Sequence, residues 1–178
     1  YARQLRWSPD SQHLAVVVGG RNRGSGTRIL QSNVFVYDVG AQLMRQLTHA
    51  TTINFDENHY APPIWARTSL ALFVVANRRV AKVSAVDGQI TWLTGDDATA
   101  IELIDRGPIS DKVTYVRLNK ETGDLRLASV HANAVNAAVS VTSAQPTRIQ
   151  LPATFNTAAH GTTVALMRTD TTHPYEVW

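Results

Sequence analysis

Apolar residues in this chain come in short bursts separated by polar turns. The first burst is Leu14-Ala15-Val16-Val17-Val18, rich in β-branched residues and ended by Gly19-Gly20. That pattern predicts a buried strand. Ahead of it stand Trp7-Ser8-Pro9-Asp10-Ser11. Pro9 presets φ for one corner of a turn, and Asp10 and Ser11 can close it with side-chain to backbone hydrogen bonds. The unit is an aromatic anchor, a turn and a strand, and it cannot bury both faces alone.

Degraded copies follow. Trp65-Ala66-Arg67-Thr68-Ser69 precedes Leu70–Val75, Asp105–Asp111 precedes Lys112–Val116, and Ala159–Thr163 precedes Val164–Met167. A second landmark also recurs. Leu47-Thr48 and Leu93-Thr94 close successive units, 46 residues apart. A period in the forties with about four short strands per period predicts β-propeller blades. The chain is therefore expected to be all-β, a propeller fragment of three to four blades of four-stranded antiparallel sheets. The blades fall at about 1–50, 51–96, 97–152 and an incomplete 153–178.

Within them the strands are expected at Leu14–Val18, Asn33–Asp38 and Gln42–Leu47, then Leu70–Val75, Val80–Val86 and Gln89–Leu93. The third blade offers Ala100–Ile104, Lys112–Leu118, Leu125–Val130 and Ala137–Val141, with Arg148–Pro152 as an alternative outer strand. The last offers Val164–Met167 and Tyr175–Trp178. Arg78-Arg79 sits at a hairpin turn, Asp87-Gly88 is a two-residue hairpin signal, and Gly123-Asp124 marks a third turn. Pro62-Pro63 excludes regular structure at that point. Trp7, Trp65 and Trp92 read as plugs between blades rather than stacking platforms.

Trp-Ser-Pro-Asp before a small apolar strand, with Leu-Thr closing the unit, resembles the propeller repeat of TolB-like proteins and of the prolyl oligopeptidase family. The stretch Leu166–Trp178, with its Thr-rich turn, Pro174 and Glu176-Val177-Trp178, resembles the last blade of acylaminoacyl- and dipeptidyl-peptidase-like members. The resemblance implies a propeller that gates small peptides toward an α/β-hydrolase domain beyond Trp178. That domain would carry the Ser, Asp and His of catalysis and would be this segment's main partner. A non-enzymatic TolB-like or WD-repeat-like interaction scaffold is the alternative. A propeller enzyme with a channel site is weaker, since no paired carboxylates recur at matching blade positions.

Composition narrows the field. Hydrophobic residues at 44% and charged residues at 17% exclude a disordered chain. The net charge of +3 is spread thinly, without the basic block that nucleic-acid binding would need. No apolar run reaches the roughly 20 residues of a membrane span. There is no Cys, so no disulfide or thiolate site, and the compartment stays open between cytoplasmic and periplasmic or secreted. The first residue is Tyr1, so the chain reads as a piece of a longer protein. Its open blade faces are expected to drive self-association.

Candidate chemistry is sparse. The chain has no Gly-x-Ser-x-Gly, so no catalytic triad is expected within it. The six His are scattered without metal-ligand spacing, and neither a metal nor a cofactor is expected. Gly19–Gly26, with Arg21, Arg23 and the nearby Arg28, is either an anion cradle or a solvated hairpin loop. Asp56-Glu57-Asn58-His59-Tyr60 is the densest polar cluster. Dipeptidyl-peptidase-like relatives hold a substrate's amino terminus with propeller acids, which makes Glu57 and His59 candidate substrate contacts. The competing reading is a solvated inter-blade loop.

Overall fold

The computed structural model describes residues 2–21, 30–49, 63–106, 112–121, 125–138 and 140–141. It also describes strand pieces at 158–160, 163–165, 167–168 and 176–177. The described residues are all-β, without a helix. Three four-stranded antiparallel sheets follow one another, each a simple meander in chain order. Sheet 1 holds β1 (Ala2–Trp7), β2 (His13–Arg21), β3 (Leu30–Asp38) and β4 (Leu43–Gln46). Sheet 2 holds β5 (Ile64–Trp65), β6 (Ala71–Ala76), β7 (Arg79–Ser84) and β8 (Ile90–Trp92). Sheet 3 holds β9 (Ala100–Arg106), β10 (Lys112–Leu118), β11 (Leu125–His131) and β12 (Ser140–Val141). Two short pairs complete the described strands. They are β13 (Ala158–His160) with β14 (Thr163–Ala165), and β15 (Met167–Arg168) with β16 (Glu176–Val177).

The sheets stack because their alternation leaves both faces apolar. Ala15, Val17, Val34, Val36 and Leu47 of sheet 1 pack against Leu72, Val74, Ala76, Ala81 and Val83 of sheet 2. The opposite face of sheet 2, with Phe73, Val80 and Leu93, packs against Val113, Tyr115, Ala128 and Val130 of sheet 3. Sheet 2 is thus filled on both sides, as the strand period of two requires when odd and even positions are both apolar.

The two repeated landmarks have one structural meaning each. Leu47 and Leu93 are buried plugs, and their amides donate to Val34 O at 2.8 Å and Val80 O at 2.9 Å. The next residue finishes the strand. Thr48 Oγ1 accepts the Val34 amide at 2.9 Å, and Thr94 Oγ1 accepts the Val80 amide at 3.0 Å. All four groups are buried, so the hydroxyl replaces a ladder partner that the chain no longer supplies. The turn motif repeats as faithfully. Ser8 N donates to His13 O and Ser11 N to Ser8 O, while Ala66 N donates to Ala71 O and Ser69 N to Ala66 O. Ser11 and Ser69 both adopt positive φ, 60° and 58°. Asp10 N donates to Ser69 Oγ at 3.2 Å, so the two turns touch.

Several expectations shift. The residues before each turn are themselves strand, so β1 and β5 add first edge strands that the apolar pattern does not announce. The tight two-residue hairpin is Asn77-Arg78, with φ of 51° and 58°, and Arg79 belongs to β7. Asp87-Gly88 instead ends a longer loop between Ser84 and Gln89, where only Gly88 has positive φ, at 75°. Ser84 Oγ accepts the Val86 and Asp87 amides, which builds that wider turn. A Cβ on Gly88 would stand 2.3 Å from Leu47 O, so this loop meets sheet 1 backbone to backbone. Ala137, expected in the outer strand of sheet 3, forms a parallel bridge to Thr94 instead. Gly123-Asp124 and Arg148–Pro152 lie outside the described residues.

Trp7 is not a plug. By register Trp7, Leu14, Tyr37 and Met44 form one row across sheet 1, on the face turned away from sheet 2. Trp7 is 60% and Met44 54% exposed, because no described residue covers them. The matching row of sheet 2 is Trp65, Leu72, Val83 and Ile90. There Trp65 is buried against sheet 1, and its Nε1 donates to Arg6 O at 2.8 Å. Trp92 is half-buried and packs against the same core.

Two outcomes follow from this packing. Thr94→Val keeps the shape and strands the buried Val80 amide, so chemical denaturation should register a loss of about 1–3 kcal/mol. The uncovered row of sheet 1 should make the chain associate as concentration rises in sedimentation experiments. Replacing Trp7 and Met44 together by Lys should weaken that association without lowering the melting temperature.

Candidate functional site

The residue types of a hydrolase meet once among the described residues, around the first turn. His13 Nδ1 and Nε2 each lie 3.7 Å from a carboxylate oxygen, of Asp10 and Asp38 respectively. Ser8 is buried beside them. Its wiring is structural. Ser8 Oγ donates to Asp10 Oδ1 and accepts the His13 backbone amide at 2.9 Å, rather than meeting the imidazole. The hydrogen bonds from Ser8 and the Gln12 amide hold the Asp10 carboxyl below its usual range. This trio locks a turn, since a nucleophile would need an exposed hydroxyl aimed at its base.

Glu57 and His59 lie outside the described residues, as do Arg23 and Arg28 of the glycine-rich loop. The described residues contain no group of three or more His, Cys, Asp or Glu able to hold a metal. No helix among them is long and apolar enough to cross a membrane.

The feature with chemistry to offer is a wedge between sheets 2 and 3. Its volume is about 520 Å³. The floor is Phe73, buried in the inter-sheet core, and the rim carries Leu70, which is 60% exposed. Three cations line it: Arg67 from the β5–β6 turn, Lys82 from β7, and Lys112 from the start of β10. No carboxylate of a described residue lines it. Lys82 Nζ donates to Asn133 Oδ1 of the neighbouring sheet at 3.2 Å.

Comparison of the two seams explains why the wedge exists. The shared turn and Thr closure align Ala71 with His13, Lys82 with Val36, and Thr91 with Arg45. At the first seam His13 and Arg45, the larger members of their pairs, close the gap. His13 lies against the Trp65 ring, with centroids 6.0 Å apart. Arg45 Nη1 and Nη2 donate to Val86 O and Ala85 O, both at 2.8 Å. Val36 is buried core. At the second seam Ala and Thr leave the space, and a lysine replaces the core valine. Periodicity reading misses this, because the signal is a departure from one sheet to the next at a fixed position.

The other end of the second seam is held by main-chain hydrogen bonds, from Asn136 N to Trp92 O at 2.9 Å and from Ala137 N to Leu93 O at 2.8 Å, and by one arginine beside them. Arg79 Nε donates to Thr94 O at 2.9 Å. Its Nη1 and Nη2 reach Asp96 Oδ1 and Asn136 Oδ1, both at 2.6 Å. The guanidinium also lies 4.5 Å from the centre of the Trp92 ring. Deeper in this seam Tyr115 is fully buried, and its hydroxyl has no hydrogen-bond partner. Burial pushes that phenol up to about 12.

No protein-family model and no curated protein matches the chain. Among solved structures, one reported in a structural and mechanistic study of two prolyl endopeptidases is similar over 99% of this chain, with 12% identity and a TM-score of 0.39. The match covers 33% of that protein, so this chain spans about a third of its length.

The buried phenol has a measurable consequence. A phenol raised in the folded state favours folding below its unfolded pKa, near 10, and that contribution is lost as pH rises toward 12. Tyr115→Phe should therefore flatten the fall of melting temperature across that range. At neutral pH the variant should be at least as stable as the parent, because it loses an unpartnered hydroxyl.

Proposed function

We propose that this chain is a propeller segment of a serine peptidase of the prolyl oligopeptidase family. In this reading it gates substrate access and contacts a catalytic α/β-hydrolase domain outside these residues. The observation that supports it most is the tandem recurrence of the Trp-anchored turn and the Leu-Thr closure in successive face-packed sheets. The resemblance of Leu166–Trp178 to a final blade before a hydrolase domain favours the peptidase branch. The segment would act as a rigid wall that admits short peptides and excludes folded ones, while the bond-breaking groups lie elsewhere. Glu57, with His59 beside it, is the proposed contact for a substrate's amino terminus, by charge-assisted pairing with the ammonium.

A fluorophosphonate that traps activated serines tests the assignment. It should label the full-length parent protein and leave the 178-residue segment unmarked. A parent that is never labelled points to the interaction scaffold instead. In a labelled parent, Glu57→Gln should raise KM roughly tenfold or more for peptides with a free amino terminus. Amino-blocked peptides should be unaffected.

A further inference from the structure

We propose that the wedge between sheets 2 and 3 binds a carboxylate attached to an apolar body. Lys82 would be the anchoring cation, with Arg67 and Lys112 beside it. Three observations converge. The wedge is about 520 Å³, within the range of small-molecule and peptide-end sites. Its charged lining is of one sign, and no described carboxylate neutralises it. Finally, Lys82 occupies a position that is a fully packed valine in the preceding sheet.

The last point carries the most weight. A lysine on the middle of a central strand, at a seam between two sheets, costs burial and gives up a core methyl contact. The fold has a cheaper answer at the same position, Val36, and uses it one seam earlier. The space before Lys82 is opened by two more departures, Ala71 for His13 and Thr91 for Arg45. Phe73 for Ala15 in the same row lays an apolar floor, and a cluster of departures that lines a cavity and charges it is the mark of a site.

The ligand class follows from the lining. The cations supply charge-assisted hydrogen bonds to a carboxylate, with Arg67 able to pair in the bidentate mode. Asn133 already accepts from Lys82, which fixes the ammonium and leaves its other protons free to donate. Phe73 at the floor and Leu70 at the rim provide apolar contact for the rest of the molecule. A peptide's free C-terminus and a free hydrophobic acid share this chemistry. The site is independent of the peptidase assignment, so its failure would leave the serine-probe result untouched.

Calorimetric titration of the chain with acetyl-Ala-Phe, its C-terminal amide and 3-phenylpropionate tests the proposal. The acid peptide should bind saturably and the amide at least about tenfold more weakly. Tighter binding of the peptide than of phenylpropionate identifies a peptide C-terminus as the source. Equal binding assigns the site to hydrophobic acids in general. Lys82→Val restores the residue of the first seam and should lower affinity about tenfold or more. Thr91→Trp fills the wedge with a neutral side chain without removing core, and should do the same with the melting temperature retained. Equal binding of acid and amide, unchanged affinity in Thr91→Trp, or no saturable binding up to about 10 mM would overturn the assignment.

Discussion

A four-stranded meander that is apolar on both faces cannot stand in water by itself. Everything described here depends on that constraint. Each sheet must be covered twice, and the cover is the next sheet. The burial of Leu72, Val74 and Val83 on one side of sheet 2, and of Phe73 and Val80 on the other, supplies most of the driving force. Hydrogen bonds then decide register rather than strength. The Thr48 and Thr94 hydroxyls fix where a strand ends, and the Ser8 and Ser69 turns fix where the next sheet begins to touch the last.

Much of this is legible in the chain because it is written as repetition. Leu47-Thr48 and Leu93-Thr94 can be paired by eye, and each pair performs the same task in space. The apolar bursts at β2, β6 and β10 are strands for the reason expected, a buried face on each side of a pleat. β1 and β5 are harder. Ala2–Trp7 is mixed in polarity, and Ile64–Trp65 is too short to show a period. Their strand character comes from pairing with β2 and β6, which is tertiary information. The Asp87-Gly88 signal misleads because the side chain of Ser84, three residues earlier, captures the turn and widens it.

The candidate site is legible only in hindsight. Nothing about Lys82 is unusual in Val80-Ala81-Lys82-Val83, where it reads as one polar residue in an apolar strand. Its meaning appears when sheet 2 is laid over sheet 1 and the lysine falls on Val36. The seam of sheets 1 and 2 shows what the position looks like when it serves packing alone. Glu57 and His59 stood out for the opposite reason, as a dense polar cluster in a connecting stretch. Density of polar residues finds loops, whereas departures from a repeat find altered seams.

The two seams also share one mechanical device. At the first, the Gly88 loop meets Leu47 backbone to backbone, and Arg45 ties the same loop to β4. At the second, the loop after β11 does the same to Leu93 and Thr94: Asn136 N donates to Trp92 O at 2.9 Å and Ala137 N to Leu93 O at 2.8 Å. Arg79 adds a side-chain tie to Asn136, and Lys82 another to Asn133. In each seam the loop that follows a sheet's third strand clasps the Leu-Thr closure of the sheet before it. The sheets are therefore latched in series, like links of a chain, each holding the tail of the last.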